Sequence, residues 1–217
     1  LILSALSPAQ AQSNAGCQTA GSFEGFIASF RQQAAGQGVS PRGLAALDGI
    51  TYDPAVVRQD RRQGHFRQSF EQFPQRMVPP YRVQKGSSLM KRHAGLLRQI
   101  EQRYGVQPPI IVAIWGLETD FGGNMGKLPA IRSIATLAYD CRRSDMFRAQ
   151  LLDALRVVDR GDLHPSEMRG AWAGEIGQTQ FMATSYYRYA VDFDGDGRRD
   201  LIRSVPDVLA STANFLK

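Results

Sequence analysis

Pro108-Pro109-Ile110-Ile111-Val112-Ala113-Ile114-Trp115-Gly116-Leu117-Glu118-Thr119-Asp120-Phe121-Gly122-Gly123 is the most informative stretch of this 217-residue chain. Residues 108–117 form its longest apolar run. Apolar on every side, the run is a buried helix or a buried strand. Glu118 closes it. A carboxyl at the mouth of a buried segment is partly desolvated, and desolvation disfavours its charged form. A group that keeps its proton near neutral pH suits general acid catalysis. The competing use of such a glutamate is an ion pair with an arginine. Gly122 and Gly123, just downstream, let backbone approach a ligand closely.

The flanking sequence predicts helices. Ser22 caps a run with Phe23, Phe26, Ile27 and Phe30 at i, i+3, i+4, i+7, which ends at Gly36 or Gly38. Ser40-Pro41 opens a short helix through Leu44 and Leu47, stopped at Gly49, and Asp53-Pro54 opens another. Residues 61–86 read as a short helix and an irregular crossing. A helix capped by Ser87 or Ser88 runs to Tyr104 and stops at Gly105. Further helices are expected over 129–139, over 144–160 with Ser144 as cap and Gly161 as stop, and from Val205 onward behind Ser204. No alternating pattern persists beyond four residues, so the expected class is mainly α.

Apolar residues are 43% of the chain and charged residues 21%, the balance of a folded domain. The apolar run is far shorter than the roughly 18 residues of a membrane span. Lys plus Arg is 26 against 20 Asp plus Glu, a net charge of +6; only Lys85, Lys91, Lys127 and Lys217 are lysines. A basic surface attracts polyanions, whether nucleic acid, anionic lipid or a carboxylate-bearing cell wall. Nucleic-acid binding would rest on that charge alone, because no recognised motif accompanies it. His65, His93 and His164 show no metal-ligand spacing, and neither a G-x-S-x-G nor a phosphate-binding loop is present.

Two further blocks carry chemistry. Gly170-Ala171-Trp172-Ala173-Gly174-Glu175-Ile176-Gly177-Gln178-Thr179-Gln180-Phe181-Met182 interleaves small residues with aromatics and amides. Aromatic faces stack on sugar rings and amides bridge hydroxyl and acetamido groups; close packing between helices explains the small residues equally well. Asp192-Phe193-Asp194-Gly195-Asp196-Gly197 supplies positions 1, 3, 5 and 6 of an EF-hand-like loop, and the Arg198 carbonyl would serve position 7. Position 12 is Arg203 instead of the usual glutamate. Three aspartates within five residues repel one another without a cation, so a structural Ca²⁺ is expected.

Residues 115–122, with Gly126-Lys127 just after, resemble the catalytic motif of the MltB-type lytic murein transglycosylases. The second block matches that family's next motif and the aspartate loop its cation loop, in the same order and at similar spacing. The resemblance runs from about Ser22 to Lys217. It implies a lysozyme-like α domain, spanning 22–217 with accessory N-terminal helices and a cation loop at 192–207. The implied reaction cleaves peptidoglycan glycan strands between N-acetylmuramic acid and N-acetylglucosamine, releasing a 1,6-anhydromuramoyl product. Glu118 would be the sole acid and base. Asp120, two residues on, is a poor second catalyst because an i,i+2 pair does not share a helix face. By the same resemblance Gln180 contacts substrate and Ile176 and Gln178 form the neighbouring wall. Ala171 and Phe215 stand where members of the family have Ser and Tyr, so each lacks a hydroxyl. The last cation ligand maps onto Asp207. The family continues past Lys217, which keeps a non-catalytic peptidoglycan-binding module as the alternative reading.

The beginning of the chain reads as the end of a secretory signal followed by an arm, together 1–21. A short apolar run precedes Ala9-Gln10-Ala11, an A-x-A pattern. This predicts export, a periplasmic location without lipid anchoring, and an oxidising environment in which Cys17 and Cys141 pair. Closing so long a loop would contribute up to several kcal/mol in the chain-entropy picture.

Overall fold

The computed structural model describes residues 21–62 and 72–217. Helix α1 (Phe23–Gly36) starts where Ser22 Oγ accepts the Gly25 N–H at 3.0 Å and buries Phe23, Phe26 and Phe30. Helix α2 (Pro41–Leu44) and a 3₁₀ turn (Ala45–Leu47) follow, then α3 (Pro54–Arg61), entered through Asp53, whose carboxylate accepts the Ala55 N–H at 3.0 Å. In each of these starts a short polar side chain supplies an acceptor for an N–H that has no partner within the helix.

The segment expected to cross irregularly contains helix instead. α4 (Gln72–Met77) precedes α5 (Pro80–Arg92), which begins seven residues before Ser87. Pro80 is preset for a first helical position, and Ser87 and Ser88 lie inside the helix and cap nothing. His93 breaks the path with φ −101° and ψ 21°, so one expected helix is two, and α6 (Ala94–Tyr104) ends at Gly105 as predicted. α7 (Pro108–Thr119) is a helix and not a strand. Its burial is one-sided: Ile111, Val112 and Trp115 are buried while Ile110 and Leu117 are exposed.

α8 (Ala130–Tyr139) and α9 (Ser144–Arg160) form the centre. α9 packs against α8, α2 and α10 (Ala183–Tyr189), a helix the sequence reading did not anticipate. Its stripe of Phe147, Leu151, Ala154, Leu155 and Val158 is buried. The cap expected of Ser144 is absent, since that residue is already helical, whereas Gly161 stops the helix with φ 86°. α11 (Val205–Leu216) packs on α6, α7 and α10, with Ser204 Oγ accepting the Asp207 N–H at 3.2 Å. Among the described residues the only paired strands are β1 (Leu128–Pro129) and β2 (Arg169–Gly170), antiparallel and two residues each. This small ribbon ties the segment after α7 to the block that begins at Gly170. Cys141 is not free; its expected partner Cys17 and the expected signal segment lie outside the described residues.

Candidate active site

The first two motifs form one interlocked unit. Trp115, one turn before the end of α7, donates its indole N–H to Gln178 Oε1 at 2.8 Å, in a buried bond. Thr119 donates its hydroxyl to the Gln178 carbonyl at 2.5 Å and accepts the Gly122 N–H at 2.9 Å. Gln178 also donates its amide to the Ile202 carbonyl at 2.8 Å. The two residues that flank Glu118 at i−3 and i+1 are therefore bolted to a chain segment some sixty residues away. A buried polar group left without such partners would cost about 1–3 kcal/mol, so the contacts specify one arrangement.

The backbone beyond Glu118 is bent sharply. Asp120 and Phe121 adopt φ 54° and 61°; with Gln180 at 52° they are the only non-glycine residues of positive φ among the described residues. All three lie in the two interlocked motifs, where strain is concentrated when surrounding contacts over-determine it. Gly122 follows at φ 80°, and a Cβ on it would lie 2.5 Å from Gln178 Oε1. The turn lays the Phe121 ring edge-on against Trp115, with centroids 5.5 Å apart. From α5, Arg82 and Lys85 both reach Asp120: Arg82 Nε is 3.3 Å from its carboxylate and Lys85 Nζ donates to its carbonyl at 3.0 Å. Asp120 is thus neutralised and committed to the turn.

Glu118 stands on the open side of this unit. It is solvent-exposed, yet burial among its neighbours pushes its carboxyl above the ordinary glutamate range, and the nearby Glu175 carboxylate adds to the effect. These two facts are compatible: the side chain is reachable from solvent and crowded on its other sides. An apolar cleft of about 290 Å³ lies between α5 and α7, lined by Val83, Gly86, Met90, Val112, Leu117 and Phe121, and Glu118 is not one of its lining residues. A partly desolvated carboxylic acid can give a proton to a leaving oxygen and take one back.

The other expected site residues divide. Gln180 donates its amide to the Met125 and Gly177 carbonyls at 3.2 and 3.0 Å, which fixes its orientation while the side chain stays half-buried. Ala171 is half-buried, and Phe215 is exposed and rests on Phe181 with ring centroids 5.5 Å apart. Ile176 and Gln178 require correction. Ile176 has no exposed surface and exchanges backbone hydrogen bonds with Phe181, so it is core and not groove wall. Gln178 is buried and its amide is spent on Trp115 and Ile202; it shapes the site from behind. Glu175, not singled out from the sequence, is half-buried, and its charge adds to the upward push on Glu118. The sequence signal was its place between Gly174 and Gly177, both of positive φ.

The aspartate loop is a tight turn folded around its own carboxylates. Asp192 accepts the N–H groups of Gly195, Asp196 and Gly197, and one carboxylate oxygen each of Asp192, Asp194 and Asp196 lies within 4.8 Å of the others. Asp207 is not in this cluster. It is fully buried, and its carboxylate accepts the N–H groups of Phe193 at 2.7 Å and Asp200 at 2.8 Å. Of the expected ligands, Asp207 thus stands apart and instead folds the segment that carries the three aspartates. The Arg198 side chain turns away to the Asp162 carbonyl and Glu167.

The described fold thus presents one crowded carboxyl at a helix end and a separate acidic turn. Residues 22–217 match the transglycosylase SLT domain, and the chain belongs to that family. Within it the chain groups with the MltB-type lytic transglycosylases. It is 37% identical over 146 residues to membrane-bound lytic murein transglycosylase B of Escherichia coli K12, covering 67% of this chain and 40% of that protein. The crystal structure of SltB3 from Pseudomonas aeruginosa in complex with NAG-NAM-pentapeptide superposes with a TM-score of 0.86 at 45% identity, over 90% of this chain and 52% of SltB3. The Escherichia coli lytic transglycosylase Slt35 in complex with calcium gives 0.78 at 31% identity, over 87% and 61%. The chain therefore spans about half the length of the proteins it matches.

Proposed function

We propose that this protein cleaves the β-1,4 bond between N-acetylmuramic acid and N-acetylglucosamine in peptidoglycan, without water, leaving a 1,6-anhydromuramoyl end. The observation that carries the reading is Glu118: a solvent-reachable carboxyl at the end of α7, flanked by the Trp115–Gln178 and Thr119–Gln178 bonds and pushed above the ordinary glutamate range by burial. Glu118 gives its proton to the glycosidic oxygen as the bond to C1 breaks. The muramoyl 6-hydroxyl oxygen then bonds to C1 and its proton returns to Glu118. The nucleophile belongs to the substrate, so orientation supplies much of the rate and no second carboxylate has to activate water. The complex of SltB3 with NAG-NAM-pentapeptide supports this substrate class.

Asp192, Asp194 and Asp196 would hold a structural Ca²⁺, a reading supported by their geometry and by the calcium complex of Slt35. The cell-wall relatives are in keeping with an exported, periplasmic protein; no described helix is long and apolar enough to cross a membrane. Incubation with purified peptidoglycan tests the activity. Products should carry a 1,6-anhydro bond and be one water lighter than hydrolytic muropeptides. Reducing-end products would mark a hydrolase, and binding without turnover a recognition module.

A further inference from the structure

Gln178 divides its polar groups between two parts of the molecule. Toward α7 it accepts twice: its carbonyl takes the Thr119 hydroxyl at 2.5 Å and its Oε1 takes the Trp115 indole N–H at 2.8 Å. Toward the turn at 200–203 it donates twice: its backbone N–H goes to the Leu201 carbonyl and its side-chain amide to the Ile202 carbonyl, each at 2.8 Å. The amide supplies the acceptor for one side and the donor for the other. An ionised glutamate would lack the donor, and a methionine the amide altogether.

Both ends of this bridge are fixed. Trp115 and Thr119 are four residues apart on one face of α7, and both are buried. One bond would leave the last turn of the helix free to roll about its axis; two bonds a turn apart do not. Glu118, which precedes Thr119, is exposed, so its backbone is held by contacts that its own side chain does not make. On the other side, Asp200 Oδ1 accepts the Ile202 and Arg203 N–H groups at 2.9 Å, and Asp207 accepts the Asp200 N–H at 2.8 Å. The approach is close: a Cβ on Gly177 would lie 2.5 Å from the Leu201 carbonyl oxygen. Gln178 thus carries the order of the 200–207 segment to the end of α7.

We propose that Gln178 is a positioning residue for Glu118: it clamps the last turn of α7 to the turn at 200–203, and so sets where the carboxyl meets the glycosidic oxygen. The proposal rests on the reading of Glu118 as the acid and base. It gives the segment after the aspartates a share in the catalytic geometry, exerted through the Leu201 and Ile202 carbonyls. Proton transfer requires the acid within about 2.6–3.2 Å of the oxygen it protonates, and a misplacement of about 1 Å can cost on the order of 10²-fold in rate. Gln180, the expected glycan contact, is held separately by the Met125 and Gly177 carbonyls. Loss of the Gln178 amide therefore falls on the chemical step more than on glycan binding.

The test compares Gln178→Met and Gln178→Glu with the wild type on soluble glycan strands, at a temperature where unfolding curves show each protein folded. In the methionine variant kcat should fall about 10²-fold, and less in the glutamate variant, which keeps its acceptors, with KM changed less than about twofold. The Trp115 indole N–H, identified in ¹H–¹⁵N spectra as the resonance that Trp115→Phe removes, should be protected from solvent exchange in the wild type and lose that protection in Gln178→Met. If neither Gln178 variant folds, Thr119→Val, which keeps the shape of the side chain and removes one of the two bonds, should show the same split to a lesser degree. A folded variant with kcat intact, even if its melting temperature is lower, overturns the proposal, as does a loss confined to KM. Turnover is read on whichever ends form, so a wild type that gives reducing ends counts against the functional reading and not against the positioning.

Discussion

The Glu118 region and the segment around 192–207 handle negative charge in opposite ways. Around the acidic turn the outlying carboxylates are bound: Asp207 by backbone N–H groups, Asp200 and Glu167 by Arg203, and Asp162 by Arg160 and Arg199. Hydrogen bonds to Arg203 and the His164 N–H hold the Glu167 carboxyl below the ordinary range. Glu118, by contrast, forms no ion pair with another described residue, and burial holds its carboxyl above the ordinary range. Burial pushes the Asp207 carboxyl up as it does that of Glu118, but the Phe193 and Asp200 N–H groups pull Asp207 back.

The strongest way to probe the contrast is Glu118→Gln, which keeps size and loses the proton. Turnover of peptidoglycan should drop at least 10²–10⁴-fold, about 2.7–5.5 kcal/mol of barrier, while glycan binding persists. Asp120→Asn is the control, since Asp120 is committed to Arg82 and Lys85. If the asparagine variant were equally inactive and the wild type gave reducing products, a two-carboxylate hydrolase would be the better description.

Next in size is Asp207→Ala, which removes the acceptor for the Phe193 and Asp200 N–H groups at a fully buried position. Hydrogen bonds to charged groups contribute roughly 1.5–3 kcal/mol each, so denaturant unfolding should show a loss of about 3 kcal/mol. A loss below about 0.5 kcal/mol would mean the segment holds itself without this carboxylate.

A subtler expectation concerns pH. Glu118 is raised in the folded protein, so its contribution to stability is fully present below the unfolded value, about 4.3, and is lost as pH rises through the folded value. Glutamine cannot ionise. The melting temperature of Glu118→Gln relative to wild type should therefore be higher at pH 7 than at pH 4. A difference independent of pH would show that Glu118 titrates normally.

The smallest effect is expected from the cation. Asp207 and the arginines already hold the frame of the turn, so a chelator should cost only the binding term, about 1.4 kcal/mol at a tenfold excess of free Ca²⁺ over Kd. Excess Ca²⁺ should restore the melting temperature. An identical melting curve in chelator and in millimolar Ca²⁺ would remove the ion from the picture.

Much of the molecule was legible without coordinates because it is local. Ser22, Ser40, Asp53 and Ser204 begin helices, and Gly105 and Gly161 end them, through contacts of four residues or fewer. The catalytic candidate was legible for the same reason: an acid directly after an apolar run announces its own desolvation. Where local reasoning failed, it had chosen the wrong one of several local starts. Ser144 had the composition of a cap but lies inside the helix, and α5 begins at Pro80 although Ser87 offered a more familiar start.

By itself, then, the sequence determined the helical class, most helix limits, the three motifs and the choice of Glu118, since all of these depend on neighbours along the chain. The tertiary structure alone decided that Gln178 braces Trp115, that Ile176 is core and that Asp207 binds backbone. Those roles depend on which groups meet across a gap in the chain, as Trp115 and Gln178 do across 63 residues. A side chain's type says what it is able to bond, but only packing says what is left for it to bond to.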